Sequence, residues 1–391
     1  MKIIQAFDFI SLSNGGGTTA VVHYLSKSLS NRGHEVAIYT SDFGVHFIDI
    51  LQGVKIHPFH CISSMAGFYL TPSMISEARE HLMYFDVIHL HCFRNFPNIV
   101  IHHYAKKYGI PYVLDTHGSL PRKVNGESGL RWLFRWIFDI TYGNRILRDA
   151  SKVIAETEVG VSEYKEFGID DDKITLIPPL FSTNEYSNLP PLGLFRSKYN
   201  IKENHIVLFM GIIRWIKGLE FLVVSFNELT KSRDDVILVI AGSDDGYKSA
   251  LDKLIKKLGL SDKVLFTGFL DGVDKLSALV DADVVVQPSV YEYGTAVPFQ
   301  AIMCNTPIIV SKNTGGGENV SRIDAGYLVE YGDKKELSDT IEYVLDNPTE
   351  AQEKTQRTKE YIKSSLSLEN CIEKYEELYR EVIESEFTRI S

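Results

Sequence analysis

Short apolar runs rich in β-branched residues alternate with helical patterns along nearly the whole chain of 391 residues. In the first half they predict strands at Lys2–Ala6, Val36–Thr40, Val54–His57, Val87–His91, Tyr112–Asp115, Val153–Ala155 and Thr175–Ile177. The alternation begins again in the second half, with strands predicted at Ile206–Met210, Val236–Ala241, Val264–Thr267, Val284–Val286, Ile308–Val310 and Gly326–Val329. Continuous apolar strands between helices are typical of parallel sheets with helices on both faces. The sequence therefore predicts an α/β protein with two doubly wound, Rossmann-like domains that face each other across a cleft.

The polar, proline-containing stretch between the two series of strands is the predicted domain boundary. We expect an N-terminal domain over residues 1–182, a linker over 183–193 and a C-terminal domain over 194–365. The length of the chain agrees with this division, because it exceeds what one ordinary hydrophobic core accommodates. The last helix, within 366–391, has one apolar stripe, and we expect it to pack back on the N-terminal domain.

The composition argues against several classes of protein. A net charge of −10 disfavours a general nucleic-acid surface. The four cysteines lie far apart and form no C-x-x-C pair, which disfavours a zinc site and fits a reducing cytoplasm. Met1 leads directly into the first predicted strand, so the apolar run there is too short for a signal peptide. No window approaches the roughly 20 apolar residues that cross a bilayer, and we expect a cytoplasmic protein.

The segment from Pro288 to Val320 is the most informative about function. Glu292 follows a predicted strand, and a turn then leads into a helix predicted from about Pro298 to Cys304. The next strand runs into three glycines, Gly315–Gly317. Strand ends and helix N-termini meet at one edge of a parallel sheet, where open α/β folds bind ligands and free N–H groups favour phosphate.

Two cations stand three residues apart, Arg214 and Lys217, after the first strand of the second domain. Such a pair suits a diphosphate, because arginine grips oxygens with its planar fork and lysine acts as a point charge. The alternative is a solvated loop with two ordinary surface cations. Gly242 ends the next strand and is interpreted as a turn glycine. A carboxylate accepts hydrogen bonds from hydroxyl groups, and neighbouring cations and N–H groups bind phosphate. Together these groups suit a sugar diphosphate.

The N-terminal domain has its own candidates at strand ends. The glycine-rich stretch 13–18 lies between strand one and helix one, where the backbone can approach a ligand closely; the alternative is a tight turn. Its spacing is not G-x-G-x-x-G, so a nicotinamide dinucleotide is not indicated. Strand alternation places His89 and His91 on one face, with His91 the better candidate for contact with an acceptor. His117 comes just past the next strand.

In order and spacing, the motifs of this chain resemble those of the retaining glycosyltransferases of family 4, which have the GT-B fold. The resemblance covers nearly the whole length, and its specificity lies in the order of motifs that are individually short. It rests on Gly16-Gly17, Arg32-Gly33-His34-Glu35-Val36, Asp86-Val87-Ile88-His89, Thr116-His117-Gly118, residues 211–218, Gly242, Phe266-Thr267-Gly268-Phe269, Pro288-Ser289 with Glu292, Gln300-Ala301, Pro307 and residues 315–318.

The resemblance implies that the N-terminal domain binds the acceptor and the C-terminal domain the nucleotide-sugar donor, and it implies roles for individual residues. Gly16 and Gly17 correspond to the loop that meets the donor phosphate. His117 corresponds to the histidine near the sugar and the transferred bond, and Lys217 to the lysine on the diphosphate. Glu292 corresponds to the glutamate that contacts the donor sugar. Backbone contacts are implied to the nucleobase from Phe269 and Leu270, and to the sugar and phosphate from Gly294, Thr295, Ala296 and Val297.

The chain also departs from the family pattern. Gln300 stands where a second glutamate usually holds the ribose, and an amide lacks the charge-assisted bond, worth roughly 1–2 kcal/mol more. Ile212 replaces the usual arginine of the diphosphate loop, and Arg214 is expected to supply that charge from further along. Thr295 stands where glycine is common, and Pro178-Pro179-Leu180 replaces a frequent Pro-Asn-Gly. We expect altered nucleotide binding rather than loss of activity.

The expected function is transfer of a hexose from a nucleotide-sugar to a hydroxyl of a glycan or lipid-linked saccharide, with retention at the anomeric carbon. Arg214, Lys217 and helix N-termini would stabilise the leaving diphosphate, so no metal or other cofactor is expected. Two alternatives are a nucleotide-sugar 2-epimerase type of isomerase, which would turn over donor without acceptor, and a non-catalytic nucleotide-sugar-binding protein.

The segment from Gly129 to Phe138 carries two tryptophans, Trp132 and Trp136, and two arginines. A basic, aromatic helix suits peripheral contact with the inner face of a membrane. The alternative, slightly favoured by the sequence, is that the two tryptophans belong to the core or to a contact between domains.

Overall fold

The computed structural model describes residues 1–10, 17–43, 52–65, 68–122 and 130–390. The chain divides into two compact units. The first comprises Met1–Leu180 with Leu368–Ser391, and the second comprises Phe181–Ser367. The segment predicted as a linker, 183–193, belongs to the second unit, where Phe181 and Tyr186 are buried in the core.

The first unit alternates strands and helices as the sequence predicts. Its strands are β1 (Lys2–Phe9), β2 (Glu35–Ser41), β3 (Val54–Phe59), β4 (Ser63–Met65), β5 (Phe68–Leu70), β6 (Val87–His91), β7 (Tyr112–Asp115), β8 (Lys152–Ala155) and β9 (Ile174–Leu176). Its helices up to residue 180 are α1 (Gly17–Asn31), α2 (Ser73–His81), α3 (Phe96–Tyr108), α4 (Leu130–Phe138), α5 (Asn144–Asp149) and α6 (Glu158–Glu166). A π-helical turn, Asp139–Gly143, joins α4 to α5.

Seven strands of this unit form a parallel sheet in the order β3-β2-β1-β6-β7-β8-β9. The order reverses between β1 and β6, which pair from Ile3↔Val87 to Ala6↔Leu90. In open α/β sheets, this reversal is the point at which ligands bind. β4 and β5 form a separate antiparallel hairpin that the sequence analysis did not predict, because its strands have only three residues each.

The second unit contains another series of the same kind. Its strands are β10 (His205–Met210), β11 (Val236–Ala241), β12 (Val264–Gly268), β13 (Val284–Gln287), β14 (Ile308–Ser311) and β15 (Tyr327–Val329). Its helices are α7 (Leu194–Tyr199), α8 (Leu219–Leu229), α9 (Lys248–Lys257), α10 (Gly272–Asp281), α11 (Val297–Met303), α12 (Gly315–Arg322), α13 (Lys334–Asp346) and α14 (Pro348–Ser365). The parallel sheet has the order β12-β11-β10-β13-β14-β15, which reverses between β10 and β13.

The last helix, α15 (Leu368–Ile390), packs on the first unit, as the sequence predicts. Its apolar stripe is buried against residues of β1 and β6, including Ile3 and Val87. At its edge, Glu376 accepts a hydrogen bond of 2.7 Å from the His34 ring and lies 3.3 Å from Arg32. In the part of the chain that the structure describes, no helix is long and apolar enough to cross a membrane.

Candidate functional site

In the second unit, three candidate loops leave adjacent strands. Lys217 follows β10, Glu292 follows β13 and Gly315 follows β14. β13 lies between the other two strands and pairs with both in parallel register. The carboxyl ends of neighbouring parallel strands meet at one sheet edge, so the three loops share the point at which the strand order reverses.

The first two of these loops are held together by their backbones. Val290 N–H donates to the Ile216 carbonyl at 2.8 Å. Gly218 has φ +69°, and a Cβ added there would lie 1.9 Å from the Pro288 carbonyl oxygen. Glycine is therefore required at 218 by both its conformation and the close approach of a neighbouring backbone.

Lys217 and Glu292 form an ion pair at this junction. Lys217 Nζ lies 2.5 Å from Glu292 Oε2, and the two side chains are only 17% and 12% exposed. Ser289 Oγ donates to the same carboxylate oxygen at 3.2 Å. Each charge neutralises the other, so a ligand that brings both an anion and hydroxyl groups could replace each partner in turn without leaving a buried charge unpaired.

The triple glycine forms the first turn of α12, and its members differ in environment. A Cβ at Gly315 would lie 1.9 Å from the Tyr293 carbonyl oxygen, and one at Gly317 would lie 2.2 Å from backbone oxygens of the preceding turn. A Cβ at Gly316 would instead meet side chains, with Thr295 at 3.1 Å and Glu292 at 3.9 Å. Two of the three glycines thus serve backbone packing, while Gly316 borders the Lys217–Glu292 pair.

The N-terminus of α12 is tied to the same loop. Gly315 N–H donates to the Glu292 carbonyl at 2.6 Å, and Thr314 Oγ1 caps the helix by accepting from Gly317 N–H at 3.0 Å. These bonds fix the position of Glu292 relative to the helix. The positive end of the helix dipole also favours an anion at this place.

Arg214 and Lys217 lie on the same loop but pair with residues of different loops. Its guanidinium forms an ion pair with Asp245, which follows β11, and its side chain is partly exposed. Gly242, in the same region, is a glycine for packing, because a Cβ there would lie 1.8 Å from the Gly211 carbonyl oxygen. The structure therefore joins Lys217 to Glu292 and joins Arg214 to Asp245.

The remaining candidates of this unit lie around α11 and β12. Phe269 is 49% exposed directly after β12, whereas Leu270 is buried in the core. Gln300 and Val297 are half-buried and one turn apart on α11, and the residues between and after them are buried. Gly294, Thr295 and Ala296, just before α11, are also half-buried. Gln300 thus lies on the more accessible side of its helix.

In the first unit, ionisable side chains converge at the carboxyl ends of the central strands. His117 Nδ1 lies 3.4 Å from both Asp115 Oδ1 and Glu156 Oε1, and its Nε2 lies 2.9 Å from His91 Nδ1. The His117 side chain is only 4% exposed and its backbone has φ +46°. For a residue other than glycine this left-handed conformation is unusual, and strain of this kind clusters at functional sites.

The hydrogen bonds define which nitrogen carries each proton. His91 is fully buried, and burial holds its pKa well below the usual value, so the ring is neutral and has one N–H. Its Nε2 lies 2.6 Å from Gln5 Oε1, an acceptor, and therefore carries the proton. His91 Nδ1 then accepts from His117 Nε2–H. Since His117 Nδ1 faces two carboxylates, both ring nitrogens of His117 are positioned as donors.

The neighbouring carboxylates favour the protonated form of His117. Burial alone would lower the pKa of His117, but Asp115 and Glu156 outweigh burial and raise it above the usual value. Burial also raises the pKa of Asp8, at the end of β1, to about 6. The surroundings of His117 therefore favour the cationic over the neutral form of its ring.

Asp115, His117 and Glu156 are also the candidates for metal coordination. Among the described residues they form a group of three whose ligand atoms lie within 4.8 Å of one another. Burial raises the pKa of Asp115, and its Oδ2 has no hydrogen-bond partner in the described structure. A metal ion at this cluster would compete with protons for the same ligand atoms.

Sequence reasoning identified His91 and His117 but missed the groups that govern them. Glu156 directly follows β8, and Asp8 lies near the end of β1. Both could have been found by the strand-end rule that indicated the histidines. Tyr379 of α15, whose hydroxyl lies 2.8 Å from His89 Nδ1, had no such signal, because it comes from the far end of the chain. Gly16 lies outside the described residues, and Gly17 is the first residue of α1.

Two family profiles match this chain, one over each half. The profile described as Glycosyltransferase Family 4 matches residues 15–185, and the one described as Glycosyl transferases group 1 matches residues 194–365. The chain belongs to the family 4 glycosyltransferases. The two sheets are those of the GT-B fold, and the family expected from the motifs is confirmed.

Relatives and solved structures agree with this assignment. The glycosyltransferase is 24% identical over 384 residues to N-acetyl-alpha-D-glucosaminyl L-malate synthase of Bacillus anthracis, with 94% of each chain covered. Anabaena HepE in complex with UDP-glucose superposes with a TM-score of 0.79 at 18% identity, over 97% of this chain and 100% of HepE. Sucrose-phosphate synthase from Thermosynechococcus elongatus superposes with a TM-score of 0.79 at 21% identity, over 98% and 99%. At these identities the two structures show the fold.

Proposed function

We propose that this glycosyltransferase moves a hexose from a nucleotide-sugar to a hydroxyl of a glycan or lipid-linked saccharide, with retention of the anomeric configuration. The observation that carries the proposal is the Lys217–Glu292 ion pair at the reversal of strand order in the second unit. It offers a cation for a diphosphate and a carboxylate for sugar hydroxyls within 2.5 Å of each other. The UDP-glucose in the HepE structure supports a nucleotide-sugar as the donor class.

Donor binding would exchange the partners of this pair. Lys217 would turn to the diphosphate and Glu292 would accept hydrogen bonds from sugar hydroxyls, with Ser289 holding the carboxylate in place. The bond from the anomeric carbon to the diphosphate would then break as the bond to the acceptor oxygen forms on the same face. Lys217 and the α12 N-terminus would stabilise the charge that develops on the leaving diphosphate.

We assign His117 a charged role in this reaction. The family resemblance places this histidine near the sugar. Because both of its ring nitrogens donate within the first unit, His117 would contribute positive charge rather than accept a proton. The proton of the acceptor hydroxyl would therefore be transferred to an oxygen of the leaving diphosphate or to water.

The test begins with the donor. Calorimetric titration with UDP-, GDP- and ADP-sugars should give binding for one nucleotide class, and addition of saccharide acceptors should then give transfer with the anomeric configuration read by NMR. Turnover of donor without acceptor would instead indicate the isomerase. Tight binding with no turnover across the panel would indicate a binding protein.

The proposed reaction needs no metal ion, because Lys217 and the α12 N-terminus would stabilise the charge on the leaving group. Transfer should continue when the purified enzyme is assayed with an excess of chelator. Complete loss of transfer in chelator, with recovery on adding a divalent cation, would contradict this part of the proposal. Asp115, His117 and Glu156 would then be the candidate metal ligands.

A further inference from the structure

The outer face of α4 is apolar and exposed. The large side chains of this segment that are between 42% and 52% exposed are Trp132, Leu133, Phe134, Trp136 and Ile137, with Ile140 and Tyr142 of the following turn. On a helix, residues three and four apart are neighbours, so Trp132, Trp136 and Ile140 form one row and Leu133 and Ile137 the next. The interpretation of both tryptophans as core residues is therefore wrong.

The opposite face of this segment attaches it to the first unit. Phe138 is buried, and Phe134, although 42% exposed, packs edge-on against Phe68 of the β4–β5 hairpin with ring centroids 5.9 Å apart. Asp139 is fully buried and paired with Arg94 at 2.8 Å and Arg122 at 2.6 Å. The inner face of the helix therefore already packs against the first unit, and the apolar outer face remains exposed.

The charge around this face is positive in a chain that is negative as a whole. Residues 130–149 contain four arginines and two aspartates, a balance of +2, whereas the whole chain carries −10. Both aspartates are already paired, Asp139 as above and Asp149 with His102 and Lys106. Arg145 and Arg148 are exposed on α5, which continues the same helical segment.

We propose that α4 and its flanking arginines dock this protein on an anionic phospholipid bilayer, independently of the sugar donor. Tryptophan prefers the headgroup boundary, where its apolar ring and its N–H are both satisfied. Arginines beside it are attracted to anionic headgroups. An exposed apolar face with a cationic rim is the pattern of an interfacial helix, for which length is not decisive.

Charge disfavours a second copy of this chain as the occupant. A symmetric dimer brings the same patch of each subunit together, so the arginines around α4 would face each other. An anionic bilayer instead offers the opposite charge across the whole patch. The site of attachment lies in the first unit, to which the family resemblance assigns the acceptor, and a lipid-linked acceptor would be presented at the same surface.

Vesicle flotation tests the proposal with the full chain. We expect flotation with vesicles of phosphatidylcholine and phosphatidylglycerol (3:1), little with phosphatidylcholine alone, and a several-fold loss on raising salt from 0.1 to 0.5 M. The change Trp136→Glu should abolish flotation, and Arg145→Glu should reduce it several-fold. Both side chains are exposed, so thermal stability should be unchanged.

Two matched substitutions serve as controls. Leu192→Glu changes an apolar side chain that is 78% exposed, and Arg357→Glu removes an exposed cation of α14; neither should affect flotation. Absence of flotation with the anionic vesicles, or flotation that Trp136→Glu leaves intact, would overturn the proposal. So would a dimer in light scattering that Trp136→Glu dissociates, since a second copy would then cover the face.

Discussion

The two units place their candidate groups at the same point of similar sheets but hold them differently. In the first unit, His91, Asp115 and His117 are almost fully buried side chains that share protons. In the second unit, Lys217 and Glu292 form one largely buried ion pair on loops whose approach depends on glycine. The first arrangement favours a cationic histidine among carboxylates, and the second can exchange partners with a ligand. We therefore expect substitutions in the first unit to alter pH dependence and those in the second to alter binding.

The largest effect is expected from Gly218→Ala. The new methyl group would overlap the Pro288 carbonyl and require a left-handed alanine, which together should cost about 2–4 kcal/mol in the free energy of unfolding of the second unit. Donor binding should be lost as the loops separate. Chemical denaturation and calorimetry measure the two effects.

Gly246→Ala is the matched control for that substitution. Gly246 has φ +85° but no atom near the added Cβ, so only the conformational cost of about 1–2 kcal/mol applies. Equal destabilisation by the two substitutions would show that the close approach of the loops is unimportant.

The next effect separates the two partners of the ion pair. Lys217→Ala should weaken nucleoside diphosphate binding by about 10- to 100-fold, since a bond to a charged group contributes about 1.5–3 kcal/mol. Glu292→Gln should preserve or improve diphosphate binding, because Lys217 is released, but should weaken binding of the nucleotide-sugar. Calorimetry with both ligands on both variants makes the comparison.

Lys231→Ala provides the control for charge removal, because Lys231 forms an exposed pair with Glu228 at the same distance of 2.5 Å. It should bind both ligands normally. If Glu292→Gln weakened diphosphate and nucleotide-sugar equally, the carboxylate would not act on the sugar.

A smaller effect is expected at Gln300, which is half-buried on α11. Gln300→Glu should tighten nucleotide binding by up to about tenfold, because a carboxylate accepts a stronger hydrogen bond from ribose hydroxyls than an amide does. Gln352→Glu, on exposed α14, adds the same charge away from the site and should have no effect. An unchanged affinity in Gln300→Glu would mean that another group holds the ribose.

The most subtle prediction concerns proton binding in the first unit. Glu156→Gln removes one of the three carboxylates that raise the pKa of His117, the others being Asp115 and Asp8, so that pKa should fall, as measured by NMR of the imidazole ring. A raised folded-state pKa stabilises the protein below the unfolded-state pKa of histidine, and this contribution disappears as pH rises through the folded-state value. As pH rises, the variant should therefore lose this stabilisation at a lower pH than the parent does. Any activity that depends on cationic His117 should also be lost at a lower pH in the variant.

Glu166→Gln, at an exposed position of α6, controls for the change of charge and should leave the pKa of His117 in place. If the pKa of His117 were the same in Glu156→Gln and in the parent, Asp115 and Asp8 would be sufficient to raise it. The activity profile must then be explained by other groups.

The sequence was sufficient to predict the architecture and the location of the candidate site. Strands such as Val87–His91 and Val236–Ala241 were predicted at the observed limits, because an uninterrupted apolar run between turns is a local signal. The packing of α15 on the first unit was predicted from the apolar stripe of that helix. Glu292 and Lys217 were predicted to share a site, because loops after adjacent parallel strands must meet.

Only the tertiary structure decided what each group does there. The partner of Arg214 is Asp245 rather than a residue beside Lys217, and His117 is held by Glu156 from another strand. Most of the glycines near the Lys217–Glu292 pair serve backbone packing, which depends on carbonyl groups distant in sequence. Local periodicity determines a strand, whereas an ion pair or a pKa depends on distances between residues that the fold alone brings together.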